Sequence, residues 1–262
     1  MTCRLIHLSD THFGCEDAAA AEAAIEAAWA FAPNLTVVTG DLTLDGRPAE
    51  FVAARAWLDR LPPPLLVTPG NHDTPYWNLV LRTLTPFHRY RRYIGAPEGA
   101  VFEGPGLTAH AVNTARGGQP RLNWALGAIN LAAVGAVAAR MTAAPGSLKV
   151  FACHHPLIEI EGEPVRGGVY RGETAARTLA EAQVDLILTG HLHVPFARGL
   201  PYGAGRTYAV GTGTLSRRTR GTPALFTTIE ADDDALAVVA QGWTGSHFEP
   251  YRTWALPRHG QA

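Results

Sequence analysis

The sequence is poor in lysine, and its positive and negative charges nearly cancel. Lys149 is the only lysine among 262 residues, so arginine supplies almost all of the 22 basic side chains, and the formal net charge is −1. Surfaces that bind nucleic-acid polymers normally carry a basic excess. We therefore expect no nucleic-acid polymer as a substrate or partner.

Cysteine is also scarce. Cys3, Cys15 and Cys153 form an odd set without the paired spacing of a zinc–thiolate site, which argues against a disulfide framework and fits a reducing compartment. No charged segment followed by a long apolar run opens the sequence, so no secretory signal is predicted. Together these features predict a cytoplasmic protein.

Long apolar runs are absent as well. The longest, 122–141, is interrupted by two asparagines, two glycines and Arg140, whereas a membrane-spanning helix needs about 20 consecutive apolar residues. We therefore expect no membrane span here, and the run predicts a packed helix over about 123–141.

What the sequence does contain is polar residues placed directly after short apolar runs. One such run, 65–67, is followed after a Pro-Gly turn by Asn71, His72 and Asp73. Four other runs end in the same chemistry, at Asp10 and His12, at Asp41, at the pair His154 and His155, and at His191 and His193. Any one alone is as well explained by a turn or a helix cap. Because open α/β sheets bind ligands outside the carboxyl ends of their strands, the five together predict a metal centre at one sheet edge.

The spacing within two of these clusters carries a further expectation. On an extended segment, residues i and i+2 point the same way. Asp10 and His12 are therefore expected to aim at one point, as are His191 and His193, and each pair could chelate a metal ion. Two exposed loop histidines are the alternative for the second pair.

The ordered set Asp-x-His, Gly-Asp, Gly-Asn-His-Asp, His-His-Pro and Gly-His-x-His, from Asp10 to His193, resembles the calcineurin-like metallophosphoesterase superfamily. Within it, the chain looks most similar to bacterial class III cyclic-nucleotide phosphodiesterases. The resemblance implies an α/β fold, a four-layer α/β/β/α sandwich of two mixed sheets flanked by helices.

The resemblance also implies two divalent or mixed-valence metal ions. One would be held by Asp10, His12, Asp41 and His193, and the other by Asp41, Asn71, His154 and His191, with Asp41 as the bridge. Imidazole, carboxylate and amide ligands without thiolate suit manganese, iron, zinc or cobalt and do not choose among them. About four metal charges against two carboxylates leave a positive site, which favours a bridging hydroxide and an anionic substrate.

The sequence does not decide the roles of several residues next to the predicted ligands. The resemblance makes His72 the general acid that protonates the leaving oxygen. Asp73 either orients an imidazole or caps a helix, and His155 lies either behind the ligands or against the substrate. Arg116 is a candidate for substrate binding, and the roles of Arg217 and Arg218 stay open.

With 47% hydrophobic residues, the chain can bury a core for a single domain, predicted over 1–250. A helical insert at about 76–94 either packs over the site or forms a substrate wall of aromatic and arginine side chains. Three strands near the end, 207–211, 224–230 and 236–243, are predicted to be antiparallel, and the resemblance implies that they belong to a second sheet packed on the first. Residues 251–262 are predicted to be a loose tail. A homo-oligomer is left open.

The function expected from these features is two-metal hydrolysis of small phosphodiesters, with cyclic nucleotides as the leading substrates. A nucleotide-sugar-lipid pyrophosphatase of the same superfamily is the first alternative. A non-catalytic binding scaffold is the second, although such proteins typically lose a ligand that this sequence retains.

Overall fold

The computed structural model describes residues 2–120, 123–144, 148–160 and 168–258. The strands are β1 (Cys3–Leu8), β2 (Leu35–Val38), β3 (Leu65–Val67), β4 (Val101–Gly104), β5 (Leu107–Ala111), β6 (Leu148–Ala152), β7 (Leu186–Thr189), β8 (Phe196–Gly199), β9 (Tyr208–Gly211), β10 (Leu225–Ala231), β11 (Ala235–Trp243) and β12 (Phe248–Pro257). The helices are α1 (Ala18–Phe31), α2 (Pro48–Leu58), α3 (Leu79–Leu84), α4 (His88–Tyr93), α5 (Leu131–Thr142) and α6 (Gly172–Glu181).

The strands form two mixed six-stranded sheets. The first has the order β12-β11-β10-β1-β2-β3 and the second the order β4-β5-β6-β7-β9-β8. The strands that carry the predicted motifs are parallel neighbours, β1 with β2 and β3 in the first sheet and β6 with β7 in the second. Their carboxyl ends therefore lie along one edge of each sheet.

The alternation of side chains along the strands builds three apolar layers. Leu5 of the first sheet and Val150 of the second both lie in the central layer, between the two sheets. Ile6 points the opposite way and packs with Phe51 of α2, whereas Phe151 packs against α5 and α6. Three apolar layers separate four layers of structure, so the predicted α/β fold is confirmed.

The end of the chain differs from the sequence prediction in two respects. β10 and β11 extend the first sheet, because β10 pairs antiparallel with β1, whereas they were expected in the second. Residues 251–257 belong to β12 and pair with β11 along its length, so they are not a loose tail; 259–262 lie outside the described residues. Most β12 side chains are exposed, and Phe248, Trp254 and Leu256 are the ones that pack inward, which explains why the sequence shows little strand pattern.

Two helical predictions also need correction. The helix expected over 123–141 begins only at Leu131, because the Asn130 side chain accepts hydrogen bonds from the amides of Ala132 and Ala133 and caps it there. The insert at 76–94 is two short helices, α3 and α4, interrupted at Pro86. No helix in the described parts of the chain is long and apolar enough to cross a membrane.

Candidate metal centre

The predicted ligands gather in one buried cluster where the motif-bearing strands of the two sheets end. Asp10, His12 and His193 form one group: His193 Nε2 lies 3.1 Å from Asp10 Oδ1 and 3.2 Å from His12 Nε2. Asp10, Asp41 and His154 form a neighbouring group, in which His154 Nε2 lies 3.3 Å from Asp41 Oδ2. All of these side chains are almost completely buried.

Asp41 lies between the two groups. Its Oδ2 is 3.8 Å from His12 Nε2 on one side and 3.3 Å from His154 Nε2 on the other. Its Oδ1 accepts a hydrogen bond from the backbone amide of His72 at 2.8 Å. One carboxylate oxygen is thus fixed by the protein, while the other faces both groups.

Backbone carbonyls orient the imidazoles. The Nδ1 atoms of His12, His154 and His193 lie 3.3, 2.6 and 2.7 Å from the carbonyl oxygens of Thr43, Thr39 and Arg218. A carbonyl oxygen can only accept, so each Nδ1 carries a proton, and each Nε2 faces the cluster, where the neutral imidazole can offer its lone pair to a metal ion. Carbonyl partners of this kind cannot be read from a sequence.

Atoms that can accept hydrogen bonds therefore face one another across the cluster. Asp10 Oδ1, Asn71 Oδ1 and His154 Nε2 are buried and have no hydrogen-bond partner among the described residues. Buried acceptors left without a donor are costly, and a cation placed between them removes this cost. The donor set and its geometry fit metal ions.

The electrostatics lead to the same conclusion. Burial would raise the pKa of Asp10, but the nearby His193 and His154 imidazoles lower it below its ordinary value. Burial lowers the pKa of His191 to about 3, which keeps that imidazole neutral. His154 is the exception: burial lowers its pKa, but Asp41 outweighs this effect and raises it to about 9. The carboxylates stay ionised and attract positive charge to the place where a metal would lie.

The backbone at the ligands is left-handed, not extended. The φ angles of Asp10, His12, Asp41, His191 and His193 are 55°, 44°, 51°, 69° and 59°, and such conformations cost on the order of 1–3 kcal/mol each in residues other than glycine. The prediction that Asp10 and His12, and likewise His191 and His193, lie on extended backbone is therefore wrong. Asp10 and His12 do share a group, whereas His193 joins them and His191 groups with His154 and His155.

Two glycines allow this close packing. A Cβ added at Gly70 would lie 2.2 Å from Asp41 Oδ1, and one at Gly190 would lie 1.9 Å from Ser9 Oγ and 2.4 Å from Asp10 Oδ2. Gly190 also precedes the amide of His191, which donates to Asp10 Oδ2 at 3.0 Å. The motif glycines thus let the strand ends approach one another at the ligands.

His72 lies at the rim of the cluster. Its Nδ1 donates to the carbonyl oxygen of Leu44 at 2.6 Å, so Nε2 points towards Arg218, whose Nη1 lies 3.0 Å away. A guanidinium can only donate, so His72 Nε2 accepts this bond. Arg218, whose role the sequence left open, therefore contacts the site through its side chain and supports His193 through its carbonyl.

His155 and Asp73 have supporting positions. His155 is fully buried, and its two ring nitrogens bond Thr114 Oγ1 and the carbonyl oxygen of Ala125, both at 2.8 Å. Both ring nitrogens are occupied by these contacts, which fits the alternative position behind the ligands, and the substrate-binding role of His155 stays a prediction. Asp73 accepts hydrogen bonds from Thr43 and from the Gly70 amide. It holds the motif loop, so neither role predicted for it holds.

Arg116 is half-buried, and its Nη1 donates to the carbonyl oxygen of Ala115 at 3.1 Å. Burial lowers the pKa of its guanidinium. Among the described residues it makes no hydrogen bond with the ligand cluster, and its substrate-binding role stays a prediction.

A buried cluster of imidazoles and carboxylates at the meeting edges of two sheets is the kind of site that holds metal ions in hydrolases. The model of the calcineurin-like phosphoesterase family matches residues 3–195, so the chain belongs to that metal-dependent family.

Similar proteins agree with this assignment. Over 230 residues the chain is 26% identical to a probable cyclic nucleotide phosphodiesterase of Synechococcus sp., covering 87% of this chain and 76% of that protein. Over 80 residues it is 40% identical to a glycerophosphodiester phosphodiesterase of Enterobacter lignolyticus, but this match spans only 29% of that protein and 26% of this chain. A purple acid phosphatase from yellow lupin seeds shares the fold, with a TM-score of 0.64, 13% identity and coverage of 98% of this chain and 54% of the other.

Proposed function

We propose that the protein hydrolyses small phosphodiesters with two metal ions bound in this cluster. The observation that carries the proposal is the position of Asp41 Oδ2, which faces His12 Nε2 at 3.8 Å and His154 Nε2 at 3.3 Å. Asp10, His12, Asp41 and His193 would hold one ion, and Asp41, Asn71, His154 and His191 the other. When bound, such a pair of ions supplies Lewis acidity towards phosphoryl oxygens and a water activated for in-line attack.

Arg218 and His72 would act on the side of the cluster that faces the phosphoryl group. A phosphoryl anion is a stronger acceptor for a guanidinium than a neutral imidazole, so substrate entry would draw Arg218 away from His72 Nε2. Nε2 would then be free to take up a proton from solvent and pass it to the leaving oxygen. Leu44, through its carbonyl, keeps the His72 ring oriented for this transfer.

Cyclic nucleotides are the leading substrates, supported by the Synechococcus relative, which is similar over most of the chain. Glycerophosphodiesters are the second class, supported by the more identical but shorter match to the Enterobacter protein. A nucleotide-sugar-lipid pyrophosphatase would need a groove for acyl chains. A binding scaffold is disfavoured because all seven ligand residues and His72 are present.

The test is a turnover panel with metal-reconstituted protein. It compares a cyclic nucleotide, a glycerophosphodiester, an aryl diester, an aryl monoester and a lipid-linked pyrophosphate. We expect diester hydrolysis to exceed monoester hydrolysis. Faster turnover of the monoester than of every diester and pyrophosphate would contradict the proposal. Asp41→Asn protein, prepared in the same way, is the control for contaminating phosphatases.

A further inference from the structure

Arg82, in the insert, is a buried guanidinium beside the metal centre. The residue lies on α3 and is only 5% exposed. Its Nε donates to the carbonyl oxygen of Gly117 at 2.9 Å, and no hydrogen bond of its Nη groups is recorded with any other described residue. A Cβ at Gly117 would lie 1.9 Å from the Arg82 carbonyl oxygen, so the loop and α3 are in tight contact and fix the side chain at its base.

None of the carboxylates in the described residues is paired with the charge of Arg82. Within the described ranges, no carboxylate oxygen lies within 4.0 Å of its guanidinium. Its neighbours are the rings of Tyr76 and Trp124, at 5.9 and 5.7 Å. Burial lowers its pKa, partly offset by Tyr76 and by Asp41 of the cluster, although an arginine stays protonated. Buried charges are normally paired, so an anion from outside the chain is the missing partner.

This anion is distinct from the phosphoryl group at the metals. That group would already meet the cluster, His72 and Arg218. The ring of Tyr76 stacks on the ring of His72, with centroids 6.2 Å apart and an interplanar angle of 8°, and Arg82 contacts the same tyrosine ring. Tyr76 therefore lies between His72, which would face the reacting group, and Arg82.

We propose that Arg82 and Tyr76 form a second subsite that binds an anionic group, a carboxylate or a phosphate, on the substrate beyond the reacting phosphodiester. The proposal rests on the proposed phosphodiesterase activity and narrows its substrates. A cyclic mononucleotide carries only the charge of its reacting phosphodiester, so the proposal narrows the substrates further: we expect a diester with a second negative charge against the insert to be hydrolysed faster than a plain cyclic mononucleotide.

The experiment uses two chromogenic diesters with the same leaving group, para-nitrophenyl ethyl phosphate and para-nitrophenyl carboxyethyl phosphate. They differ only in the added carboxylate. For the metal-loaded wild-type protein we expect kcat/KM to be about tenfold or more higher for the carboxyethyl ester, the effect of one charge-assisted hydrogen bond. Arg82→Gln should bring this ratio to about one, and Arg82→Lys should retain part of it.

Arg92→Gln is the matched control. Arg92 is an exposed arginine of α4, whose guanidinium lies 5.4 Å from the Tyr93 ring, and its replacement should leave the ratio unchanged. Thermal unfolding of each variant shows whether the insert is still folded.

Two results would overturn the proposal: no preference in the wild type, or a preference that survives Arg82→Gln, whether that variant keeps its activity or loses it equally towards both esters. An equal loss would mean that Arg82 only supports the insert. The ethyl ester tests the phosphodiesterase activity separately. If neither ester is hydrolysed, that activity is contradicted, and the ratio of the two dissociation constants, measured by calorimetry, decides the role of Arg82.

Discussion

The ligand cluster and the insert are held in different ways. In the cluster, backbone groups fix the side chains: the imidazoles donate to carbonyl oxygens, and Asp41 accepts from a backbone amide. In the insert, side chains hold one another. Tyr76 stacks on His72 and Trp77 packs edge-on against Tyr76, although these two residues are 46% and 72% exposed.

This difference indicates a division of roles. Atoms held by the backbone of two sheets cannot adapt, and that suits chemistry that is the same for every substrate. Side chains stacked at an exposed surface can adjust or be exchanged without disturbing the sheets. We therefore expect changes in the cluster to affect all substrates alike, and changes in the insert to alter the choice among them.

The largest effect is expected from Asp41→Asn. Loss of the carboxylate that faces both groups should weaken both metal positions and reduce kcat/KM for every diester on the order of 10³-fold or more, because metal ions supply several kcal/mol of transition-state stabilisation. His12→Ala is the matched variant and should mainly empty one position. Metal analysis of both proteins beside their turnover makes the comparison. Equal and independent metal losses in the two variants would contradict the bridge.

His72→Ala should divide substrates by leaving group. With both metals retained, we expect a loss of roughly 10²–10⁴-fold for a substrate with an alkoxide leaving group, because general acid catalysis has this size. Nitrophenolate leaves with little help, so its loss should be much smaller. Metal content and both turnover rates are measured on one preparation. Similar losses for the two substrates at full metal content would remove the general-acid role.

Gly190→Ala tests the close approach of strand ends to the cluster. The new methyl group would meet Ser9 Oγ and Asp10 Oδ2, so we expect a loss of about 1–3 kcal/mol in the free energy of unfolding, the usual effect of overpacking. Gly135→Ala, in the exposed face of α5 with no atom near its Cβ, should instead stabilise by about 0.5–1 kcal/mol. Denaturant titrations measure both. No difference between the variants would mean that the strand ends can move apart freely.

The smallest effect is expected from Tyr76→Ala. Removal of the ring that stacks on His72 and contacts Arg82 should reduce kcat/KM by roughly 2- to 10-fold, since an aromatic pair contributes about 0.5–1.5 kcal/mol. The loss should differ between a cyclic nucleotide and a plain aryl diester. A uniform loss across substrates, or a loss of metal, would contradict the division between cluster and insert.

The cluster could be predicted because its residues follow buried strands in short motifs. Parallel strands bring their carboxyl ends together, so the motifs are enough to place Asp10 with Asp41 at the edge of one sheet and His154 with His191 at the edge of the other. That the two edges meet follows from the packing of the sheets. The left-handed backbone could not be predicted, since a pattern of apolar and polar residues does not distinguish a turn that aims a ligand from an extended one. That explains the incorrect pairing of His191 with His193.

The contacts that support the ligands could not be predicted from the sequence for another reason: they join residues that are far apart in the chain. The carbonyl of Arg218 reaches His193, and its side chain reaches His72, which is 146 positions away. Arg82 lies in a stretch rich in arginine and aromatic residues. Only the structure shows that Arg82 is buried whereas arginines such as Arg92 are exposed. β12 could not be recognised as a strand because an edge strand that exposes most of its side chains lacks a clear alternation of apolar and polar residues.

The most direct test of this account is the number of metal ions bound per chain. Anomalous scattering from crystals of the metal-saturated protein, combined with elemental analysis, locates and counts the ions. The account predicts two ions per chain, both in contact with Asp41, one beside His12 and the other beside His154. A single tightly bound ion at saturating metal, or two ions that do not share Asp41, would contradict it.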